Sequence, residues 1–333
     1  MRKKRIKKEF IEGELQYSLL LSLYKNSRKP IKALAREFGA SNHLIKKVIE
    51  DLEQKYSIEY ILDVDFEKLG FAESRLITIK FEKAPNSEVL KEMILGDIFV
   101  QDAYIASGDF DLLLFVSGLS SKDFRSWQYN FRIKVSDYSP IIKFSAVNFF
   151  TMGFFPIRNE LIDESTVLSE QEKRLLKLLN SNSKIKIKDL IIQGKTTQMK
   201  VLYFLKKMRE QGIIRKFSAL TQNPDKRIFL AFGYTLTLSK THDILWKEFA
   251  RKLEIDKKST INDYSIITDT NGYYDNFDIC AFKDTTVLNE KGPDILASLW
   301  GKEKPKIEKA ILLDKIIGKW PFHLEEYKES QQS

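Results

Sequence analysis

The chain has 333 residues, of which 43% are hydrophobic and 12% aromatic, so it is long enough for about two domains that each bury a core. Its apolar runs are shorter than the roughly 20 residues of a membrane span, and residues 1–8 lead into no apolar stretch with a cleavage site. The single cysteine, Cys280, excludes an internal disulfide and zinc sites built from cysteine pairs, and three histidines offer little for metal catalysis. We therefore expect a soluble cytoplasmic protein with no metal and no other cofactor.

Positive charge is concentrated in two segments of the chain. The net charge is +9, from 55 Lys and Arg against 46 Asp and Glu. Residues 167–218 contain 13 basic and four acidic residues, and residues 1–8 contain six basic residues and no acid. Such clusters favour a polyanionic partner such as nucleic acid.

Residues 1–12 are predicted to form a basic N-terminal arm. An arm of this kind can follow phosphate groups or enter a minor groove of DNA. The alternative is a solubilising tail without a defined contact.

Residues 13–62 show the pattern of three short amphipathic helices around one small core. Apolar residues recur every three or four positions, and Gly39 with Ser41 supplies a break and an N-cap between the second and third helices. The pattern predicts a (winged) helix-turn-helix unit whose core is built from Leu15, Leu19, Leu23, Ile31, Leu34, Ala35, Phe38, Ile45, Ile49 and Leu52.

The third helix of this unit carries polar residues on the face opposite its core positions. A recognition helix places its first turns in the major groove, where donor groups read base edges and contact phosphates. The alternative is an ordinary solvated helix face. The residues assigned here to DNA binding are Ser41, Asn42, His43, Lys46 and Lys47.

Beyond residue 62 the hydrophobic period changes from that of a helix to that of a strand. Ile77, Ile79 and Phe81 alternate with polar residues, a helix pattern follows, and two strands meet at the glycine turn 107–111. A second helix and a last strand complete the order βαββαβ. Residues 63–157 are therefore predicted to be a ferredoxin-like domain.

The same pattern is repeated after a polar linker, residues 158–167. Residues 168–218 repeat the three-helix pattern, and residues 219–323 repeat the strand and helix order before a tail, 324–333. Residues 140–156 and 305–321 share the same spacing of Pro, Gly and Pro. The predicted fold class is α+β, with two tandem repeats of a helix-turn-helix unit and a ferredoxin-like domain.

The third helix of the second unit supports two interpretations. Its lysines, together with Lys195, can bind phosphate without reading bases. Alternatively, Leu202, Tyr203 and Phe204 can dock on another protein. The residues assigned to DNA binding in this unit are Thr197, Gln198, Lys200, Lys206 and Lys207.

Signals for an enzyme are few. The run 194–197 is similar to the end of a phosphate-binding loop, but it lies in a helical unit and the required earlier glycine is Asp189. No catalytic triad is evident, and Asp111 and Asp275 are expected to orient loops. The sequence therefore predicts that the chain is not an enzyme.

The order of elements resembles the Lrp/AsnC family of feast/famine regulators. The likeness is carried by residues 31–41 (IKALAREFGAS), 65–70 (DFEKLG) and 107–115 (SGDFDLLLF). It implies a sequence-specific transcription regulator that binds double-stranded DNA, with ferredoxin-like (RAM) domains for assembly and for sensing an effector, commonly an amino acid. By the same resemblance, the effector site would include Gly108, Asp109, Asp111, Gly272 and Asp275.

Ordinary members of that family carry one copy and dimerise, whereas this chain carries two. The resemblance therefore implies an internal pseudo-dimer, made by packing the two sheets together, or sheets used between chains of a homodimer. Two alternatives share the architecture. Siroheme decarboxylases resemble the same fold but place histidine, tyrosine and arginine in the ferredoxin-like domains, and a third possibility is an amino-acid-binding or scaffold protein without DNA.

Overall fold

A computed structural model describes residues 15–16, 18–221, 228–235, 264–282, 285–286, 288–289 and 306–319. The described residues form two compact units, each built from separate stretches of the chain. Residues up to Gly70 and from Pro156 to 221 belong to the first unit, and residues 71–155 and 228–319 contribute to the second. Within the described part, every helix lacks the length and apolarity that a membrane crossing requires.

The first unit begins with three helices and a strand. They are α1 (residues 15–16 and 18–25), α2 (Ile31–Glu37), α3 (Asn42–Tyr56) and β1 (Ile58–Val64). The Ser41 side chain accepts a hydrogen bond from the backbone N–H of Leu44 and so begins α3, as a serine N-cap does. Much of the core predicted from the sequence is buried, with Leu19, Leu23, Leu34, Ile45 and Leu52 each at 0% exposure. The prediction is wrong for Ile31, which is 38% exposed at the first position of α2.

The first unit also contains a second set of helices followed by a strand. They are α6 (Asn159–Asp163), α7 (Glu170–Ser181), α8 (Ile187–Gln193), α9 (Gln198–Glu210) and β6 (Ile214–Thr221). A capping box between Ser169 and Glu172 begins α7. Within the predicted linker 158–167, α6 buries Leu161 and Ile162 completely. This stretch is therefore packed structure, because its two aliphatic side chains enter the core.

The two sets of helices are joined by backbone pairing. Strands β1 and β6 form an antiparallel two-stranded sheet that runs from the pair Ile58 and Thr221 to the pair Val64 and Ile214. Each strand follows the last helix of its set, so the sheet fixes the two sets relative to each other.

In the second unit, the described residues form eight strands that are hydrogen-bonded into one closed barrel. They are β2 (Glu73–Phe81), β3 (Val100–Gly108), β4 (Leu112–Leu119), β5 (Pro140–Met152), β7 (Ile228–Thr235), β8 (Tyr264–Gly272), β9 (Asn276–Phe282) and β10 (Lys306–Ile317). Their order around the barrel is β10-β3-β4-β2-β5-β8-β9-β7. Strands β2 to β5 form one four-strand set and β7 to β10 the other, and the two sets join edge to edge through the pairs β5 with β8 and β10 with β3.

Helices α4 (Ser87–Leu95) and α5 (Ser121–Val135) cover one face of strands β2 to β5. Ile77 and Ile79 face these helices, in a core that also holds Leu90 and Trp127. Because successive side chains of a strand point to opposite faces, Thr78 faces away from this core. The α+β class predicted from the sequence is confirmed, and the arrangement of two repeats stays a prediction.

Candidate functional site

The first face of interest is the exposed side of α3. Ile45, Val48, Ile49 and Leu52 are buried, so this helix cannot rotate without losing its core contacts. The residues that the sequence analysis assigned to DNA are all exposed: Ser41, Asn42, His43, Lys46 and Lys47. Glu50 and Asp51, further along the helix, are exposed as well. Lys46 contacts Glu50 at 3.5 Å, one turn along the helix, with both side chains more than half exposed. Exposed pairs of this kind contribute little, so Lys46 can exchange Glu50 for another anion.

The corresponding face of α9 is different in character. Thr197 caps the helix by accepting the N–H of Lys200 at 3.4 Å, and Gln198, Lys200 and Lys206 are exposed. Lys207 is half-buried, and its Nζ lies 2.6 Å from Oε1 of Glu172, the glutamate of the capping box. Burial raises the pKa of Glu172, but hydrogen bonds from Lys207 and Ser169 outweigh burial and lower it. Lys207 therefore holds α7 and α9 together, and Thr197 is committed to the N-cap of α9.

Apolar residues on α9 also divide between the surface and the core. Met199, Leu202 and Tyr203 are 79%, 49% and 67% exposed. Phe204, which the sequence analysis grouped with them as a docking residue, is 3% exposed. That assignment is wrong, because Phe204 packs into the core together with Val201 and Met208.

In the second unit, the glycine turn between β3 and β4 is anchored by its own acidic residues. Gly108 has φ of 150°, and an added Cβ would lie 2.4 Å from the carbonyl oxygen of Lys309. The Asp109 carboxylate accepts the Lys309 N–H at 2.8 Å. Asp111 accepts Lys80 Nζ at 2.6 Å through one oxygen and the Phe81 N–H at 2.9 Å through the other. Both carboxylates are used in fixing the turn, as the sequence analysis expected for Asp111.

The turn between β8 and β9 is built in the same way but with aromatic residues. Gly272 has φ of 138°, and an added Cβ would lie 2.7 Å from the carbonyl oxygen of Phe144. The backbone N–H of Asp275 donates to the carbonyl of Tyr234 at 2.8 Å. Tyr273 and Tyr274 occupy the positions of Asp109 and Phe110 in the first turn. The effector role predicted for the turn residues stays a prediction.

A polar cluster that the sequence analysis missed lies beside this second turn. Glu308 on β10 accepts hydrogen bonds from Tyr274 Oη at 2.7 Å, from Tyr273 Oη at 2.8 Å and from Lys143 Nζ at 2.6 Å. Tyr274 Oη also lies 3.0 Å from Thr78 Oγ1. Burial raises the pKa of Glu308, but these hydrogen bonds together lower it to about 2. Its sequence signal was weak, since a lone glutamate in a strand predicts no partner.

A second buried polar group lies at Asp102 on β3. Asp102 is completely buried, and its Oδ1 accepts the backbone N–H of Lys319 at 3.0 Å and the hydroxyl of Tyr104 at 3.3 Å. Among the described residues, its Oδ2 has no hydrogen-bond partner. Burial raises the pKa of Asp102 well above the ordinary range of a carboxyl group.

Two further predictions concern Cys280 and the basic N-terminal arm. Cys280 is fully buried on β9, as predicted for a strand residue. The basic arm, residues 1–12, lies outside the described residues.

Comparison with known proteins gives a fold likeness over the whole chain. No family model and no curated protein matches the sequence. The crystal structure of the siroheme decarboxylase NirDL covers 97% of this chain and 100% of its own, with a TM-score of 0.59 and 14% identity. The structure of that enzyme with an iron-uroporphyrin III analogue covers 95% and 96%, with a TM-score of 0.58 and 15% identity. The structure of E. coli AsnC covers 44% of this chain and 93% of its own, with a TM-score of 0.36 and 16% identity.

These comparisons correct one prediction. The prediction that the chain is not an enzyme is wrong by this measure, because the fold that matches it from end to end is that of an enzyme. Regulators of the Lrp/AsnC family are among the matching structures, each over less than half of this chain. At identities of this size the likeness describes the fold.

Proposed function

We propose that the first unit binds duplex DNA, with α3 in the major groove, and that the chain acts as a transcription regulator. The observation that carries this proposal is the division of α3 into two faces. Its apolar face is locked in the core, and its first two turns present an amide, an imidazole and two ammonium groups to solvent. These are groups that donate to base edges and phosphates in the major groove.

Each exposed residue has a defined role in this proposal. Asn42 is suited to bidentate contact with adenine, and Lys46 and Lys47 are suited to guanine or phosphate. Ser41 is committed to the N-cap through its side chain, so it contributes by positioning the helix. The exposed lysines of α9 add affinity through phosphate contacts.

The proposal includes a duplicated architecture. We infer that the two sets of helices and the two four-strand sets are tandem copies, each a helix-turn-helix unit followed by a ferredoxin-like domain. The support is the strand order, which is β3-β4-β2-β5 in one set and β8-β9-β7-β10 in the other. In both sets the first strand lies between the third and the fourth. In this proposal, the two copies within one chain make the edge-to-edge strand pairing that two separate chains would otherwise make.

Selection of bound fragments from random DNA, followed by a salt titration, tests DNA binding. We expect a recurring sequence motif, and an affinity that falls with a linear slope of log K against log salt. A protein that recovers no motif, and whose weak binding is equal for all sequences, would contradict sequence-specific recognition.

The full-length likeness to NirDL favours a second candidate function. We infer that, if the chain is catalytic, the barrel binds an iron-uroporphyrin-like tetrapyrrole and removes carboxylate groups from it. A tetrapyrrole of this class carries several carboxylates, and Lys143, Lys306 and Lys80 lie near the glycine turns of the barrel. Titration with iron-uroporphyrin III tests this candidate. A saturable absorption change together with release of carbon dioxide from siroheme supports it, and an unchanged spectrum contradicts it.

A further inference from the structure

We propose that α9 recognises thymine methyl groups, so that the DNA site has two unlike halves, one read by polar groups and one rich in thymine. This inference rests on the proposed DNA binding of the first unit. It starts from the apolar side chains that α9 exposes where a recognition helix normally exposes donors.

The exposed apolar residues of α9 share one face. Met199, Leu202 and Tyr203 stand at positions i, i+3 and i+4, which are neighbours on a helix surface. Val201, Phe204 and Met208 lie on the opposite face and are buried. The exposed stripe is therefore fixed outward by the core, in the same way as the polar stripe of α3.

Cations surround this stripe. Lys195, Lys200, Lys206 and Arg209 are exposed, and the first turn of α9 holds no acidic residue. Lys206 contacts Glu210 at 3.7 Å, with both side chains mostly exposed, so this pair screens little of the charge. The partner that complements such a surface is an anion with apolar groups between its charges.

Duplex DNA meets that description better than a protein surface does. Protein interfaces are depleted of lysine, whereas here lysines lie beside the apolar stripe. In the major groove, the C5 methyl of thymine is an apolar group between two rows of phosphates, and apolar side chains contact it. Leu202 and Met199 match the methyl groups, and the lysines match the phosphates.

The first unit also couples α9 to α3. The β1 and β6 ladder joins the strands that follow these two helices. Ser27 lies in the loop after α1 and Ser183 in the loop after α7, and their hydroxyl oxygens are 2.7 Å apart. Contacts made by the two helices on one duplex therefore contribute to a single binding event.

Replacing thymine with uracil in the selected DNA tests the proposal, since uracil lacks only the methyl group. We expect uracil in one half-site to weaken binding of the parent protein by about fourfold for each methyl that is buried, from the transfer of one methylene-sized group. The same replacement in the other half-site should have little effect. The variant Met199→Gln with Leu202→Gln should bind thymine and uracil DNA equally, because both substituted positions are exposed and the fold is retained.

The outcomes separate this inference from the proposed function. Equal binding of thymine and uracil DNA by the parent, with binding still lost in Lys46→Ala with Lys47→Ala, overturns the thymine inference and leaves DNA binding in place. A change of molar mass in Tyr203→Ala or Leu202→Gln, measured by light scattering, without a change in DNA affinity shows that the stripe is a protein interface and also overturns it. A parent protein that binds no DNA overturns both.

Discussion

The hydroxyl oxygens of Ser27 and Ser183 lie 2.7 Å apart in the buried centre of the first unit. Ser183 Oγ also donates to the carbonyl of Ser218 at 3.1 Å, so it accepts the hydrogen bond from Ser27. The backbone N–H groups of the two serines also donate to carbonyl groups of the opposite set of elements. The N–H of Ser27 donates to Phe217, and the N–H of Ser183 donates to Tyr60.

This geometry predicts unequal costs for removing the two hydroxyls. Ser183→Ala should lower the free energy of unfolding by about 1–3 kcal/mol, because Ser27 loses its acceptor inside the core. Ser27→Ala should cost less, about 1 kcal/mol, because Ser183 keeps its bond to Ser218. Urea unfolding of both variants and the double variant checks this. Equal costs that add fully in the double variant would mean that the two hydroxyls do not interact.

Lys207 and Lys206 are neighbours on α9 with different predicted roles. Lys207→Met should lower stability by about 1 kcal/mol, because it breaks the half-buried contact with Glu172 at 2.6 Å. Lys206→Met is the matched control and should leave stability unchanged but weaken DNA binding. Thermal unfolding and DNA titration of both variants measure the two effects. A loss of DNA affinity in Lys207→Met as large as in Lys206→Met would contradict the structural role of Lys207.

The depressed pKa of Glu308 predicts how the second unit responds to acid. The pKa is about 2 in the fold, against an ordinary value of 4.5, so the unfolded chain takes up the proton first as pH falls. The stabilisation from this carboxylate is complete above about pH 4.5 and is lost as pH falls towards 2.

Glu308→Gln should therefore lower stability by about 1–3 kcal/mol at pH 7 and remove part of the acid dependence below pH 4.5. Denaturant unfolding at a series of pH values checks this. Glu92→Gln, at an exposed position on α4, is the control and should behave like the parent. If the stability of Glu308→Gln ran parallel to that of the parent from pH 7 to pH 2, the result would contradict a stabilising ion pair between Glu308 and Lys143.

The raised pKa of Asp102 predicts the opposite dependence of stability on pH. Its raised pKa means that the unfolded chain loses this proton at a lower pH than the fold does, so stability falls as pH rises through that window. Asp102→Asn keeps an oxygen for the Lys319 N–H and removes the titration, so its stability at pH 7 should equal or exceed that of the parent. Asp102→Ala removes the acceptor and should be less stable than Asp102→Asn. Calorimetry of the two variants decides this, and a strongly destabilised Asp102→Asn would show that the carboxylate is ionised in the fold.

The sequence predicts those features that depend on local periodicity. The spacing of Leu19 and Leu23 defines the buried face of α1, and that of Ile45 and Leu52 defines the buried face of α3. The Ser41 cap follows from residue type alone. Strands of the barrel were recognised by their alternation, but their partners were not, because edge pairing between β5 and β8 joins residues more than 100 positions apart.

The sequence also does not predict the ion-pair partners or the burial of individual side chains on one helix. Lys206 and Lys207 are adjacent lysines, and only the approach of α7 places Glu172 beside the second of them. Phe204 could not be separated from Tyr203 by composition, since the helix rotation relative to the core decides which ring is buried. The Glu308 cluster requires the second glycine turn to reach β10, which is a tertiary contact.

The measurement that tests the central claim most directly is the DNA affinity of the double variant Lys46→Ala with Lys47→Ala. Fluorescence anisotropy on the selected sequence measures it. The matched control is Lys122→Ala with Lys134→Ala, which removes the same charge from exposed positions on α5 in the second unit. The account predicts a loss of at least about tenfold in the α3 variant with a salt slope reduced by up to about 2, and near-parent binding in the control. Equal binding by both variants and the parent would contradict the placement of α3 in the major groove.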